Sequence, residues 1–164
     1  MRRRAATRRL AVAVVLSVGG LAGAAGVAGC ADGGSGTSGA VTAAPRATDP
    51  ACASAQAAAP ESVLGHPRSP LPVQGAAAWG EPAVVVRCGL PEPAPTTDRC
   101  VTVNDVDWIV DDRGDPLVFT AYGRSPTVEV RIPLSYGRED APSALVAFAP
   151  VATALPRTAR ACIG

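Results

Sequence analysis

The chain has 164 residues and is 48% hydrophobic, but 33 of them are Ala, so the material for a core is thinner than that fraction implies. All 15 basic residues are Arg, which excludes lysine nucleophiles and Schiff bases, and the single His is His66. Five Arg lie in the first nine residues; from Cys30 onward ten Arg face fourteen acids, a net charge of −4 without a basic run, which argues against a nucleic-acid partner.

Residues 1–9 form a basic leader, and 10–27 are apolar and uncharged. Ala and Gly dominate that stretch and small residues follow it, the pattern of a signal peptide over 1–29 rather than of a permanent span. Val27-Ala28-Gly29-Cys30 resembles the lipobox of bacterial lipoproteins. That resemblance implies that Cys30 is acylated on sulfur and becomes the first mature residue. It also implies a cell-membrane location, lipid-anchored on the extracytoplasmic face. Cysteine parity agrees, because five Cys in an exported chain leave one odd, and lipidation of Cys30 leaves four for two disulfides. Arg8-Arg9 loosely resembles a twin-arginine export signal, so the export route stays open.

Residues 30–50 read as the lipidated Cys and a flexible tether: 31–49 are small, polar and Gly-rich, with no periodic apolar positions. A single domain is expected over 51–164. Asp49-Pro50 is an N-cap followed by a first-turn Pro, which predicts a short helix over 51–59. A Pro-rich connection leads to strand candidates at 83–88, 101–103, 106–110, 117–122 and 127–132, with Asn104-Asp105 as a tight turn. In the last strand Val128, Val130 and Ile132 alternate with Thr127, Glu129 and Arg131, the mark of a half-buried antiparallel strand. Asp140-Ala141-Pro142 opens a second helix whose apolar face is Leu145, Phe148, Val151 and Leu155, with Pro150 expected to kink or split it. The expected fold is α+β: a short N-terminal helix, an antiparallel meander of about five strands, and a C-terminal helix, with both helices on one face of the sheet.

Cys52, Cys88, Cys100 and Cys162 admit three pairings. Local geometry favours Cys88–Cys100 across a short Pro-rich excursion and Cys52–Cys162 between the chain ends. Zinc ligation does not fit their spacings of 36, 12 and 62 residues. No metal or cofactor is implied.

Candidate chemistry is sparse. His66 stands in Gly65-His66-Pro67, in an expected loop, and no Gly-x-Ser-x-Gly elbow accompanies it. The acids Asp105, Asp107, Asp111, Asp112 and Asp115 lack the order of a calcium loop and read as solvated hairpin turns. Arg113-Gly114-Asp115 reads as turn chemistry. Glu129 and Asp107 act as a glycosidase pair only if the fold sets them about 5–10 Å apart across a groove. Trp79, Arg87, Tyr122 and Arg124 combine aromatic faces with guanidinium groups, the make-up of a carbohydrate or anionic-ligand site. Core packing is the competing role for Trp79.

Trp79-Gly80-Glu81-Pro82, continuing through Val84-Val85-Val86-Arg87-Cys88-Gly89, resembles a signature stretch of domain of unknown function 3515, a family of small exported actinobacterial proteins and lipoproteins. Val103-Asn104-Asp105-Val106-Asp107-Trp108 and Tyr122-Gly123-Arg124-Ser125-Pro126 are similar to two further blocks. The resemblance implies an exported domain with four paired cysteines and carries over no catalytic residue. Three functions follow as expectations. The first is a non-catalytic envelope lipoprotein acting through an envelope-protein or cell-wall partner. The second is a binding module for a cell-wall or small anionic ligand. The third, for which no nucleophile–base pair can be named, is an envelope hydrolase.

Overall fold

Asp49 caps the first helix, its Oδ1 accepting from Ala51 N at 3.0 Å, and Pro50 supplies the pre-set first turn. The computed structural model describes residues 40–163. Helix α1 (Pro50–Ala57) is followed by strands β1 (Ser62–Val63), β2 (His66–Ser69), β3 (Ala76–Trp79) and β4 (Val84–Leu90). Next come β5 (Cys100–Val103), β6 (Val106–Asp111), β7 (Leu117–Tyr122) and β8 (Thr127–Ile132), then a 3-10 turn at Leu134–Tyr136 and helix α2 (Ala141–Thr153). The fold class is α+β. The sheet has eight strands where about five were expected, all neighbours antiparallel, in the order β1-β2-β3-β4-β8-β7-β6-β5.

The five expected strands are β4 to β8, but they do not form one meander. β4 pairs with β8, not β5, so two four-stranded meanders meet at the β4–β8 seam. Residues 91–99 therefore carry the chain from mid-sheet to the far edge. This corrects the disulfide pairing. Three strands separate β4 from β5, roughly 19 Å at the usual strand spacing, so Cys88 and Cys100 cannot bridge. Cys52 joins Cys88 with Cα atoms 5.6 Å apart, and Cys100 joins Cys162 at 6.0 Å.

Register defines two faces. Ala77, Val86, Val130, Phe119 and Val110 lie opposite one another across five strands. With Trp79, Trp108, Leu117 and Ile132 they are buried in one cluster, to which α1 contributes Cys52 and Ala55, and α2 contributes Leu145, Phe148 and Val151. Each large side chain there contributes about 1.5–3 kcal/mol by leaving water. Trp79 and Phe148 meet edge to face at 5.2 Å. Pro150 does not split α2, which runs on to Thr153. The carbonyl deprived of its donor belongs to Val146, which is 49% exposed, so water is available to it.

The expected tether also needs correction. Ala44 and Ala47 are buried, Arg46 N donates to the Gly89 carbonyl at 2.9 Å, and Arg87 Nη1 donates to the Thr42 carbonyl at 3.1 Å. Gly89 makes this contact possible: its φ is +104°, and a Cβ there would strike the Arg46–Ala47 backbone. Residues 42–49 are thus part of the domain. Cys30 and the signal segment 1–29 lie outside the described residues, as do residues 31–39 of the expected tether.

Candidate functional site

The second sheet face, opposite the apolar cluster, carries the polar chemistry. Arg87 on β4, Glu129 on β8 and Thr120 on β7 occupy one cross-strand row, and Arg131 lies two residues along β8 from Glu129. Glu129 Oε1 accepts from Arg87 Nε at 3.2 Å, Arg87 Nη2 at 2.9 Å and Arg131 Nε at 2.8 Å. Glu129 is 8% exposed, so this is a shielded ion cluster at the seam of the two meanders. A groove of about 340 Å³ flanks it on one side, lined by Leu71, Ala78, Pro82, Val85 and Arg131. A more polar groove of about 420 Å³ lies on the other, lined by Pro93, Asp98, Thr120 and Glu129.

The four residues expected to form a ligand site are not brought together. Trp79 belongs to the apolar face: it is fully buried, its Nε1 donates to the Pro60 carbonyl at 2.9 Å, and Arg68 lies 6.0 Å from its ring centre. Arg87 is on the other face, committed to Glu129 and Thr42. Tyr122 shares that second face, beside the Cys100–Cys162 bridge, where it lies across from Asp107. Arg124 sits beyond the end of β7, buried, in a two-residue bridge with Arg157 of the C-terminal tail. Arg131 was read from the sequence only as a residue on the polar side of the last strand's alternation, and Arg157 was not singled out, since no local pattern marks it.

Other candidates resolve into structure. His66 is in β2 rather than a loop, and its ring meets Tyr136 edge-on at 5.5 Å. Tyr136 donates to the Pro82 carbonyl at 2.8 Å, and burial, with Glu81 adding to it, raises its phenol above the usual value. Asp107 accepts from Thr102 Oγ1 at 2.6 Å and from Cys162 N at 2.8 Å. It lies on β6, two strands from Glu129, with β7 between them. Asp111, held at about 2 by the Arg113 side chain and backbone, belongs to the β6–β7 hairpin with Asp112 and Asp115, while Asp105 is at the other end of β6. The acidic run is therefore divided by a strand about 20 Å long. Among the described residues no group of three or more His, Cys, Asp or Glu is placed to hold a metal ion, and no helix is long and apolar enough to cross a membrane.

The stretches that carry the family resemblance now have positions. Trp79 is a core anchor, Cys88 is bridged, and Asn104 and Asp105 turn with φ values of 48° and 60° between β5 and β6. A family model described as "Protein of unknown function (DUF3515)" matches residues 10–159. The chain belongs to this family. No curated protein and no solved structure matches it. The DUF3515 match spans both meanders and both helices, so the family describes the whole folded part and not one motif within it.

Proposed function

We propose that this DUF3515 protein is a non-catalytic envelope lipoprotein. Cys30 holds it by a lipid on the extracytoplasmic face of the cell membrane, both helices cover one sheet face, and the second face docks an envelope protein. One observation carries the reading: the carboxylates Glu129, Asp107 and Asp111 on the second face are each tied up in structure. Glu129 is held by two guanidinium groups, Asp107 by Thr102 and Cys162, and Asp111 by Arg113. A face whose charges are fixed in this way suits recognition better than proton transfer. The half-apolar groove at Leu71, Val85 and Arg131 supplies the concave surface such recognition needs.

The test is photo-crosslinking in intact cells. A crosslinker at Leu71 should trap a discrete envelope protein, and one at Val146 on α2 should not. Cys30→Ala should release the protein from membranes and lower the yield of that adduct. Equal adducts from both positions, or turnover of a wall fragment by the purified protein, would overturn the reading. A second reading, a module for a cell-wall or small anionic ligand, is favoured by the burial of Arg124 beside Arg157.

A further inference from the structure

The connection from β7 to β8 runs through Gly123-Arg124-Ser125-Pro126, and the chain leaving α2 returns alongside it. Ser125 N donates to the Pro156 carbonyl at 3.1 Å, and Thr158 N donates to the Gly123 carbonyl at 3.0 Å. These bonds bracket Arg124 and Arg157 as a non-hydrogen-bonded antiparallel pair, in which Cα atoms lie about 4.5 Å apart and both side chains leave on one side. Gly123 fixes the approach. Its φ is +73°, and the Arg160 carbonyl occupies the space a Cβ would need.

Like charges directly opposite one another destabilise such a pair, and burying an unpaired cation adds to the cost. Arg124 is 7% exposed, and among the described residues its guanidinium has no hydrogen-bond partner and no ion-pair partner. Nearby arginines differ: Arg46 is paired with Asp49 at 2.7 Å and Arg160 with Glu92 at 3.6 Å. Asp107 is the carboxylate whose charge reaches Arg124, yet both its oxygens already accept bonds from Thr102 and Cys162. Burial and then Arg157 lower the proton affinity of Arg124 below the usual arginine value, against the opposing pull of Asp107. Its nitrogens still touch solvent, since the one fully buried and unpartnered side-chain polar atom among the described residues is Trp108 Nε1.

We propose that Arg124 and Arg157 together form a binding site for a phosphate group, held by two guanidinium forks presented from one side of the strand–tail bridge. A phosphate offers each fork two oxygens and turns an uncompensated pair of cations into charge-assisted hydrogen bonds. The site rests on the second reading only in taking an anion as its ligand, and it stands whether or not Cys30 is acylated.

The test uses the full chain carrying Cys30→Ala, in a phosphate-free detergent, so that loss of a lipid anchor does not enter the result. Inorganic phosphate at millimolar concentration should shift the Arg124 and Arg157 Nε–H resonances saturably and leave Arg113 unmoved. Arg157→Gln changes an exposed side chain, so the fold is retained, and it should weaken phosphate binding at least about tenfold. Arg124→Lys keeps the charge but loses the fork, and should weaken it as well. Titration with a short-chain phosphatidylglycerol in the same detergent separates the sources. Shifts of the same two resonances that are lost in Arg157→Gln assign the site to a lipid headgroup, whereas a response to inorganic phosphate and none to the lipid assigns it to a soluble phosphate. No saturable shift at Arg124, or equal affinity in Arg157→Gln, overturns the proposal.

Discussion

The two meanders share a topology and differ in what holds them. In β5–β8 the central strands alternate strictly: β6 and β7 each place three buried residues against three half-buried ones. In β1–β4 the outer strands are Ser-Val, His-Pro-Arg-Ser and Ala-Ala-Ala-Trp, with no such rhythm. That half is held from outside itself. Cys52 ties α1 to β4, Gln56 Nε2 donates to the Gly75 carbonyl at 2.9 Å, and residues 42–49 pack on Gly89. Alternation specifies a strand whose own faces decide its burial. Strands at a sheet's margin take their place from neighbours, and their sequences are free of that constraint.

The disulfides are the sharpest way to break the comparison, because each serves one half. The loops of 36 and 62 residues predict similar entropic contributions, about 4 kcal/mol each. Cys52 and Cys88 are fully buried, however, so Cys52→Ala/Cys88→Ala also removes packing from the core. It should lower the urea midpoint more than Cys100→Ala/Cys162→Ala, which frees the C-terminal tail from the edge strand. Non-reducing tryptic mapping checks the connectivity itself, since cleavage after Arg99 separates Cys88 from Cys100. A linked peptide carrying both the Cys88 and the Cys100 fragments alone would refute the two-meander order.

Next in size is the seam. Glu129→Gln leaves Arg87 and Arg131 without their shared anion, and a loss of about 3 kcal/mol is expected. Denaturant unfolding should show one cooperative transition shifted as a whole; if the two halves separate into two transitions, the seam is not where they are coupled. Gly89→Ala is aimed at the first meander alone. The positive φ and the contact with Arg46–Ala47 predict a loss of about 2 kcal/mol, and hydrogen exchange should quicken at Arg46 and Cys88 before it does in β6 or β7.

The smallest effect belongs to the β6–β7 hairpin. Asp111 is depressed from 3.8 to about 2 by Arg113, so its contribution is present above pH 3.8 and disappears as pH falls toward 2. Both side chains are exposed, which keeps the effect small. Asp111→Asn should lower stability slightly at neutral pH, where the pair is intact, and leave it unchanged near pH 2, so that the acid limb of the stability profile flattens. An unchanged acid limb would mean that the ion pair contributes nothing in solution.

Much of the second meander was legible from residues alone. Val128, Val130 and Ile132 announced β8, Asn104-Asp105 announced the turn, and Asp49-Pro50 announced α1, because each signal acts within a few residues of itself. The candidate site was not legible. Trp79 and Arg87 are eight residues apart in a region of aromatic and basic character, yet strand pairing sends them to opposite faces. Arg124 drew notice as a cation, but its partner Arg157 is 33 residues away and marked by no pattern.

The sequence by itself determined the α+β class, the four cysteines available for pairing, the family and the absence of a recognisable catalytic motif. The class rests on periodicity, the cysteine count on parity and the family on its resembling motif blocks, all of them properties of the chain in any conformation. Only the tertiary structure decided that β4 lies beside β8, and everything long-range follows from that choice. It moves Cys100 to the far edge of the sheet, gives Cys88 to α1, sets Glu129 between two arginines and returns the tail to lay Arg157 against Arg124. The reason is that antiparallel pairing depends on which faces the whole core can bury together, and no segment carries that information alone.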